Sequence, residues 1–151
     1  MALKKGDKAP AFKLKDDEGK DFDFPKQSKG KPCIIYFYPK NFTAACTAEA
    51  CEFRDQFSIF RDLDIDVYGI STDSVESHKK FKEANQLPFK LLSDTKGRVA
   101  ALYKAKVPFL PMTRRVSFLI DANQKIVDVY ENLFDGARHI KAMVDAVKKI
   151  S

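Results

Sequence analysis

Two cysteines five residues apart, Cys46 and Cys51, stand in the stretch Pro39-Lys40-Asn41-Phe42-Thr43-Ala44-Ala45-Cys46-Thr47-Ala48-Glu49-Ala50-Cys51-Glu52-Phe53-Arg54-Asp55. It follows a β-branched and aromatic run closed by Pro39, and its own pattern turns helical. Thr43 is a suitable N-cap. Cys46 then falls in the first helical turn, where unpaired backbone N–H groups and the helix dipole stabilise an anion. Thiolate is the nucleophilic form of cysteine, so Cys46 is placed to react. If Cys51 continues the same helix, the two cysteines lie ~7.5 Å apart along its axis and ~140° apart around it. A disulfide seldom spans Cα atoms more than about 7 Å apart, and the side chains must converge. Either Cys51 is a passive helix residue, or the first turns unwind once Cys46 is oxidised. Small Ala44, Ala45, Ala48 and Ala50 anchor those turns weakly, while Phe53, Phe57 and Phe60 pin the rest.

The remaining candidates carry less chemistry. Cys33 opens the run Cys33-Ile34-Ile35-Tyr36-Phe37-Tyr38 and reads as a small core hydrophobe. His78 and His139, the two histidines, read as surface or boundary residues. Neither gives zinc-ligand spacing with Cys46 and Cys51, so no metal is expected.

The elements that position Cys46 can be traced along the chain. Phe12-Lys13-Leu14 and Phe22-Asp23-Phe24 alternate like short edge strands around a turn at Asp17-Glu18-Gly19. Cys33 to Tyr38 lacks alternation, which predicts a strand buried on both faces. Ala44 to Arg61 reads as one helix, with Phe53, Phe57 and Phe60 on one face. Ile65 to Ser71 is a second central strand. Asp73 and Ser74 offer caps for a helix over Val75–Asn85, with Glu76 placed for a capping box with Asp73. Leu91-Leu92 reads as a short strand and Gly97 to Tyr103 as a short helix. Arg115 to Asp121 and Lys125 to Tyr130 form a hairpin, and Asp135 caps a last helix with Ile140, Met143, Val144, Val147 and Ile150 in one stripe. The order β-α-β-α then β-β-α predicts an α/β domain: a central mixed sheet flanked by helices, thioredoxin-like, with an N-terminal extension.

Composition bounds the rest. A chain of 151 residues with 44% apolar and 32% charged residues suits one globular domain over residues 1–151. No apolar run reaches the roughly 20 residues that cross a bilayer. The start, Met1 to Lys8, has no apolar stretch of signal-peptide length, so the expected compartment is the cytoplasm. The net charge of +6 comes from scattered lysines without a block of like charge, which argues against a nucleic-acid face. Three cysteines, an odd count in a reducing compartment, read as reactive or buried thiols rather than as staples.

The spacing Pro39-x-x-x-Thr43-x-x-Cys46, continued by Glu49, resembles the peroxiredoxin active-site signature. The second cysteine at +5, with Tyr36-Phe37-Tyr38-Pro39-Lys40 and Phe53-Arg54-Asp55, resembles the bacterioferritin-comigratory-protein, or peroxiredoxin Q, group. Gly69-Ile70-Ser71-Thr72-Asp73, Leu91-Leu92-Ser93-Asp94 and Arg115-Val116-Ser117-Phe118-Leu119-Ile120-Asp121 match it in order, from about Gly6 to the last helix. The resemblance implies a peroxidase acting on hydrogen peroxide and organic hydroperoxides. Cys46 would be the peroxidatic nucleophile and Cys51 the resolving cysteine. Thr43 would hydrogen-bond the peroxide, and Pro39 would shield the thiolate. Arg115 would stabilise thiolate and departing oxygen, with Glu49 orienting it and Arg114 a rival for its place. Strand alternation would let only one of the two arginines reach the site. The resemblance also implies no cofactor, a monomer, and thioredoxin or a glutaredoxin-like dithiol as reductant. One departure is visible: Ala44-Ala45 stands where the family commonly has Pro-Gly, changing backbone freedom before Cys46. A disulfide reductase would carry Cys-x-x-Cys instead; a thiol sensor on the same fold would stop after one equivalent of peroxide.

Overall fold

The centre of the molecule is the strand β3 (Cys33–Phe37), buried along its whole length. Its residues divide by parity: Cys33, Ile35 and Phe37 face one core, and Ile34 and Tyr36 the other. That division is the period-2 signature of a pleated strand covered on both sides. The computed structural model describes residues 2–28, 30–110, 113–132 and 136–150.

Around β3, the strands β1 (Phe12–Asp16), β2 (Asp21–Phe24), β4 (Asp66–Ser71), β5 (Lys90–Ser93), β6 (Val116–Ile120) and β7 (Ile126–Glu131) complete one sheet, in the order β2-β1-β5-β4-β3-β6-β7. β3, β4 and β5 are parallel; β6 joins β3 antiparallel, and β7 follows β6 as a hairpin. This is the mixed, thioredoxin-like sheet that the order of elements predicts. The N-terminal hairpin is not peripheral to it. β1 pairs with β5 as well as with β2, so of the hairpin's two strands only β2 lies at an edge of the sheet.

Among the described residues, five α-helices connect and cover the strands: α1 (Ala44–Asp55), α2 (Phe57–Asp62), α3 (Val75–Asn85), α4 (Arg98–Leu102) and α5 (Gly136–Ile150). One face packs α1, α2, α3 and α5 through Phe53, Phe60, Phe81, Ile140, Met143 and Val147. On the other, Phe12, Phe22 and Phe24 of the N-terminal hairpin meet Val99 and Ala100 of α4, and Tyr103. The cap expected of Asp135 lies outside the described residues, and the side chain of Ile150 lies outside the description as well.

Two local expectations are corrected. The single helix over Ala44–Arg61 is interrupted at Gln56, whose φ of −98° and ψ of 8° leave the helical basin. Phe53 and Phe60 still meet across the break, with ring centroids 6.0 Å apart. Ser74 alone caps α3, accepting from the Ser77 N–H at 3.1 Å. Asp73 forms no capping box, because its carboxylate accepts from Ser71 Oγ at 2.6 Å and from the Asn41 N–H at 2.9 Å. Its turn toward residue 41 ties β4 to the loop that precedes Cys46.

One glycine is required by packing. Tyr36 lies across Gly69 on the neighbouring strand, and a Cβ at Gly69 would stand 2.8 Å from the phenol ring and hydroxyl. The same Tyr36 ring stacks on Phe53 at 4.6 Å. The missing side chain on β4 thereby seats α1 against the sheet.

Candidate active site

The loop between β3 and α1 brings the sequence-predicted residues to one end of the sheet. Pro39 follows directly on Tyr38 and is half-buried. Thr43 occupies the N-cap with φ −80° and ψ 152°, and its carbonyl accepts from the Thr47 N–H at 2.9 Å. Its hydroxyl does not cap the helix; it donates to the Lys40 carbonyl at 3.0 Å and is exposed. Cys46 is the third residue of α1, inside the first turn, and is only 1% exposed.

Arg115 arrives at that thiol from across the sheet. It sits immediately before β6, which pairs with β3, so its backbone lies beside the end of β3. Its Nη2 donates to Cys46 Sγ at 3.1 Å, and its Nη1 to Glu49 Oε1 at 2.5 Å. Glu49, one turn beyond Cys46, is fully buried. Burial pushes the Glu49 carboxyl up to about 8, against the lowering effect of the Arg115 cation and its hydrogen bond. Arg115 itself is 2% exposed; burial lowers it, but Glu49 and Cys46 outweigh that and raise it overall. The guanidinium stays charged and presents Nη2 to the sulfur and Nη1 to the Glu49 carboxyl group.

Arg114 takes a different path. Its guanidinium pairs with Glu131 and reaches the Lys104 carbonyl. Both arginines line a cavity of about 280 Å³ with Val107 and Glu131, but only Arg115 contacts the sulfur. They precede β6 rather than lie within it, so strand alternation does not send them to opposite faces.

Both histidines are fully buried, not surface residues. His139 pairs through Nδ1 with Ser117 Oγ at 2.9 Å, has Glu49 Oε2 at 3.7 Å, and meets the Asn132 carbonyl through Nε2 at 2.9 Å. It extends the Cys46–Arg115–Glu49 chain into α5. A signal for this existed: His139 stands four residues before Met143 and eight before Val147, on the apolar face of the helix. His78 belongs to a second cluster under the Cys46 loop. Tyr38 donates to Asn41 Oδ1 at 2.7 Å, and Asn41 Nδ2 donates to Ser77 Oγ at 3.1 Å and His78 Nδ1 at 3.0 Å. Burial lowers the His78 pKa, with Asp73 opposing, and a neutral imidazole is the form that accepts from Asn41.

Cys51 lies on α1, half-buried, and its thiol donates to Asn85 Oδ1 at 3.5 Å. All three cysteines are free thiols. Cys33 is in the core, where burial pushes its thiol far up. Among the described residues no group of three His, Cys, Asp or Glu side chains could hold a metal ion, and no helix is long and apolar enough to cross a membrane.

The sequence carrying this site matches the AhpC/TSA family over residues 5–129. The chain belongs to the AhpC/TSA family. Within that family its relatives are peroxiredoxins, which are oxidoreductases. It is 41% identical over 137 residues to the chloroplastic peroxiredoxin Q of Sedum lineare, covering 90% of this chain and 73% of that one. It is equally 41% identical over 133 residues to peroxiredoxin Bcp of Bacillus subtilis (strain 168), covering 84% of each. It spans 64% of the length of the chloroplastic peroxiredoxin Q of Suaeda salsa. Among solved structures, peroxidoxin BcpB from Mycobacterium tuberculosis has the same fold with a TM-score of 0.93 and 33% identity, over 99% of both chains. The AhpC/TSA chain is thus a peroxiredoxin akin to the Q and Bcp proteins.

Proposed function

We propose that the chain is a thiol peroxidase that reduces hydrogen peroxide and organic hydroperoxides through Cys46, with Cys51 as resolving cysteine and thioredoxin, or a glutaredoxin-like dithiol, as reductant. The observation that carries this reading is the 3.1 Å contact from Arg115 Nη2 to Cys46 Sγ at the mouth of α1.

The chemistry follows from that contact. Cys46 thiolate attacks the terminal oxygen of the peroxide. The S–O bond forms as the O–O bond breaks, and the departing oxygen takes a proton to leave as water or an alcohol. Negative charge moves from sulfur to that oxygen. Arg115 and the helix N–H groups are fixed in place beforehand and need not reorganise as it moves. Glu49 holds the other guanidinium edge. Thr43 Oγ has its proton committed to the Lys40 carbonyl, so its lone pairs are left to accept from the O–H of an incoming hydroperoxide. Pro39 is assigned the role of shielding the sulfur.

Cys51 sulfur then displaces hydroxide from the Cys46 sulfenic acid; its own proton completes the water that leaves, and a disulfide closes. The helical geometry of residues 46 and 51 requires the first turns of α1 to open for this step. An external dithiol restores both thiols. This reading takes residues 1–151 as one catalytic unit working as a monomer in the cytoplasm.

A coupled assay tests it: peroxide, thioredoxin, thioredoxin reductase and NADPH, with H₂O₂ and with an organic hydroperoxide. Wild type should consume many equivalents. Cys51→Ser should be oxidised once and then not be recycled by thioredoxin. A Cys51→Ser protein that recycles normally overturns the resolving role, and a wild type that stops after one equivalent identifies a sensor.

A further inference from the structure

Cys51 is held on α1 by a partner that faces away from Cys46. Its thiol donates to Asn85 Oδ1, at the C-terminal end of α3. That amide is itself fixed, because Asn85 Nδ2 donates one turn back to the Phe81 carbonyl at 3.1 Å and Phe81 is buried. Arg54, three residues after Cys51, donates Nη1 to the Asn85 backbone carbonyl at 2.7 Å. α1 therefore grips a single residue of α3 twice. The grip is on firm ground, since α3 closes with Gln86 in the left-handed region (φ 51°, ψ 50°) and with the Leu87 N–H returned to the Lys82 carbonyl at 3.1 Å.

We propose that Asn85 is a positioning residue, a latch that holds the resolving thiol on the folded helix, and that releasing it is part of the step that closes the Cys46–Cys51 disulfide. The inference rests on the resolving role assigned to Cys51 above. In that step the S–O bond of the Cys46 sulfenic acid breaks and the S–S bond forms. The Cys51 proton leaves with the hydroxyl as water, so no further oxidant or reductant enters. The sulfur that must make the new bond starts bonded to α3, and on an unbroken α1 it points about 140° away from Cys46. Each contact with Asn85 favours the folded arrangement over the opened one. The latch prolongs the life of the sulfenic acid and so exposes Cys46 to a second peroxide, which carries it to the sulfinic acid.

The test separates the two chemical steps by quenched flow, with alkylation and mass spectrometry of Cys46 and Cys51. The first phase, sulfenic acid formation, is proportional to peroxide; the second, disulfide closure, is independent of it. Asn85→Ala should leave the first phase at the wild-type rate and speed the second about two- to ten-fold, the scale of one net hydrogen bond. The peroxide concentration that over-oxidises half the protein should rise with it. Arg54→Gln, which leaves the Cys51 contact in place, should move the second phase in the same direction by less. A second phase unchanged or slowed in Asn85→Ala, with the first phase intact, overturns the latch. Peptide mapping of the oxidised wild type keeps the two claims apart. If no Cys46–Cys51 disulfide is found, the resolving assignment fails and the latch with it; if the disulfide is present and the rates are equal, the latch alone fails.

Discussion

Arg115 divides its guanidinium between two groups of α1, with Nη2 on Cys46 Sγ at 3.1 Å and Nη1 on Glu49 Oε1 at 2.5 Å. One cation thus serves the sulfur and its own support on the same helix. Removing a preorganised donor of this kind costs about 10²–10³ in rate where it has been measured. Arg115→Gln should slow the reaction of Cys46 with H₂O₂ on that scale. Arg115→Lys should recover little, because an ammonium cannot present two edges. Single-turnover oxidation of each variant checks this, and a lysine variant at wild-type rate would contradict it.

Glu49 is the source of a pH dependence. Its folded pKa, pushed up to about 8, lies above the ordinary value of 4.5, so the native state binds its proton more tightly than the unfolded chain does. Its contribution to stability is therefore favourable at acidic pH and is lost as pH rises from about 4.5 through about 8. Urea unfolding of Glu49→Gln should lack this decline. The same variant should react with peroxide about ten- to a hundred-fold more slowly, since Arg115 loses its orienting partner. Parallel stability curves for wild type and variant would refute the first claim.

His78 acts in the opposite sense. Its folded pKa lies below the ordinary 6.5, so the unfolded chain takes up the proton first. The stability it contributes is present above about 6.5 and is lost as pH falls below it. Protonation also places an N–H where Asn41 Nδ2 now donates. Asn41→Ala should cost about 1–3 kcal/mol by leaving buried partners unpaired, and it should free the Pro39–Thr43 loop. Unfolding at pH 5 and pH 8, with hydrogen exchange at residues 40–47, measures both effects.

Gly69→Ala should destabilise the protein by about 1–3 kcal/mol, the usual cost of forcing a methyl into a filled core. Tyr36 must shift to accept it, and Phe53 and α1 lean on Tyr36. Thermal unfolding checks the stability, and a variant as stable as wild type would show that the Tyr36 ring moves freely.

Much of this was legible in the sequence, because the strongest patterns are also the ones packing enforces. The unbroken apolar run from Cys33 to Tyr38 could be satisfied only by a strand covered on both faces, and the first-turn position of Cys46 followed from Pro39 and Thr43. The grouping of Arg115 with Cys46 and Glu49 came only from the family resemblance, and the other side-chain polar networks were not legible, since they depend on residues far apart in the chain. Asp73 has the spacing of a cap and yet serves Asn41, 32 residues earlier. His78 and His139 look like surface residues until β6, α1 and the loop before Cys46 close over them. The break at Gln56 carries no Gly or Pro and left no mark on the apolar period.

The chemistry turns on a reactive sulfur at residue 46. Reduced protein mixed with one equivalent of H₂O₂ should consume it, and peptide mass mapping should place the oxidation on Cys46, trapped as the sulfenic acid in Cys51→Ser. Cys46→Ser should leave the peroxide untouched. Peroxide consumption that survives in Cys46→Ser, or oxidation found on Cys51 or Cys33 while Cys46 stays reduced, would contradict the account.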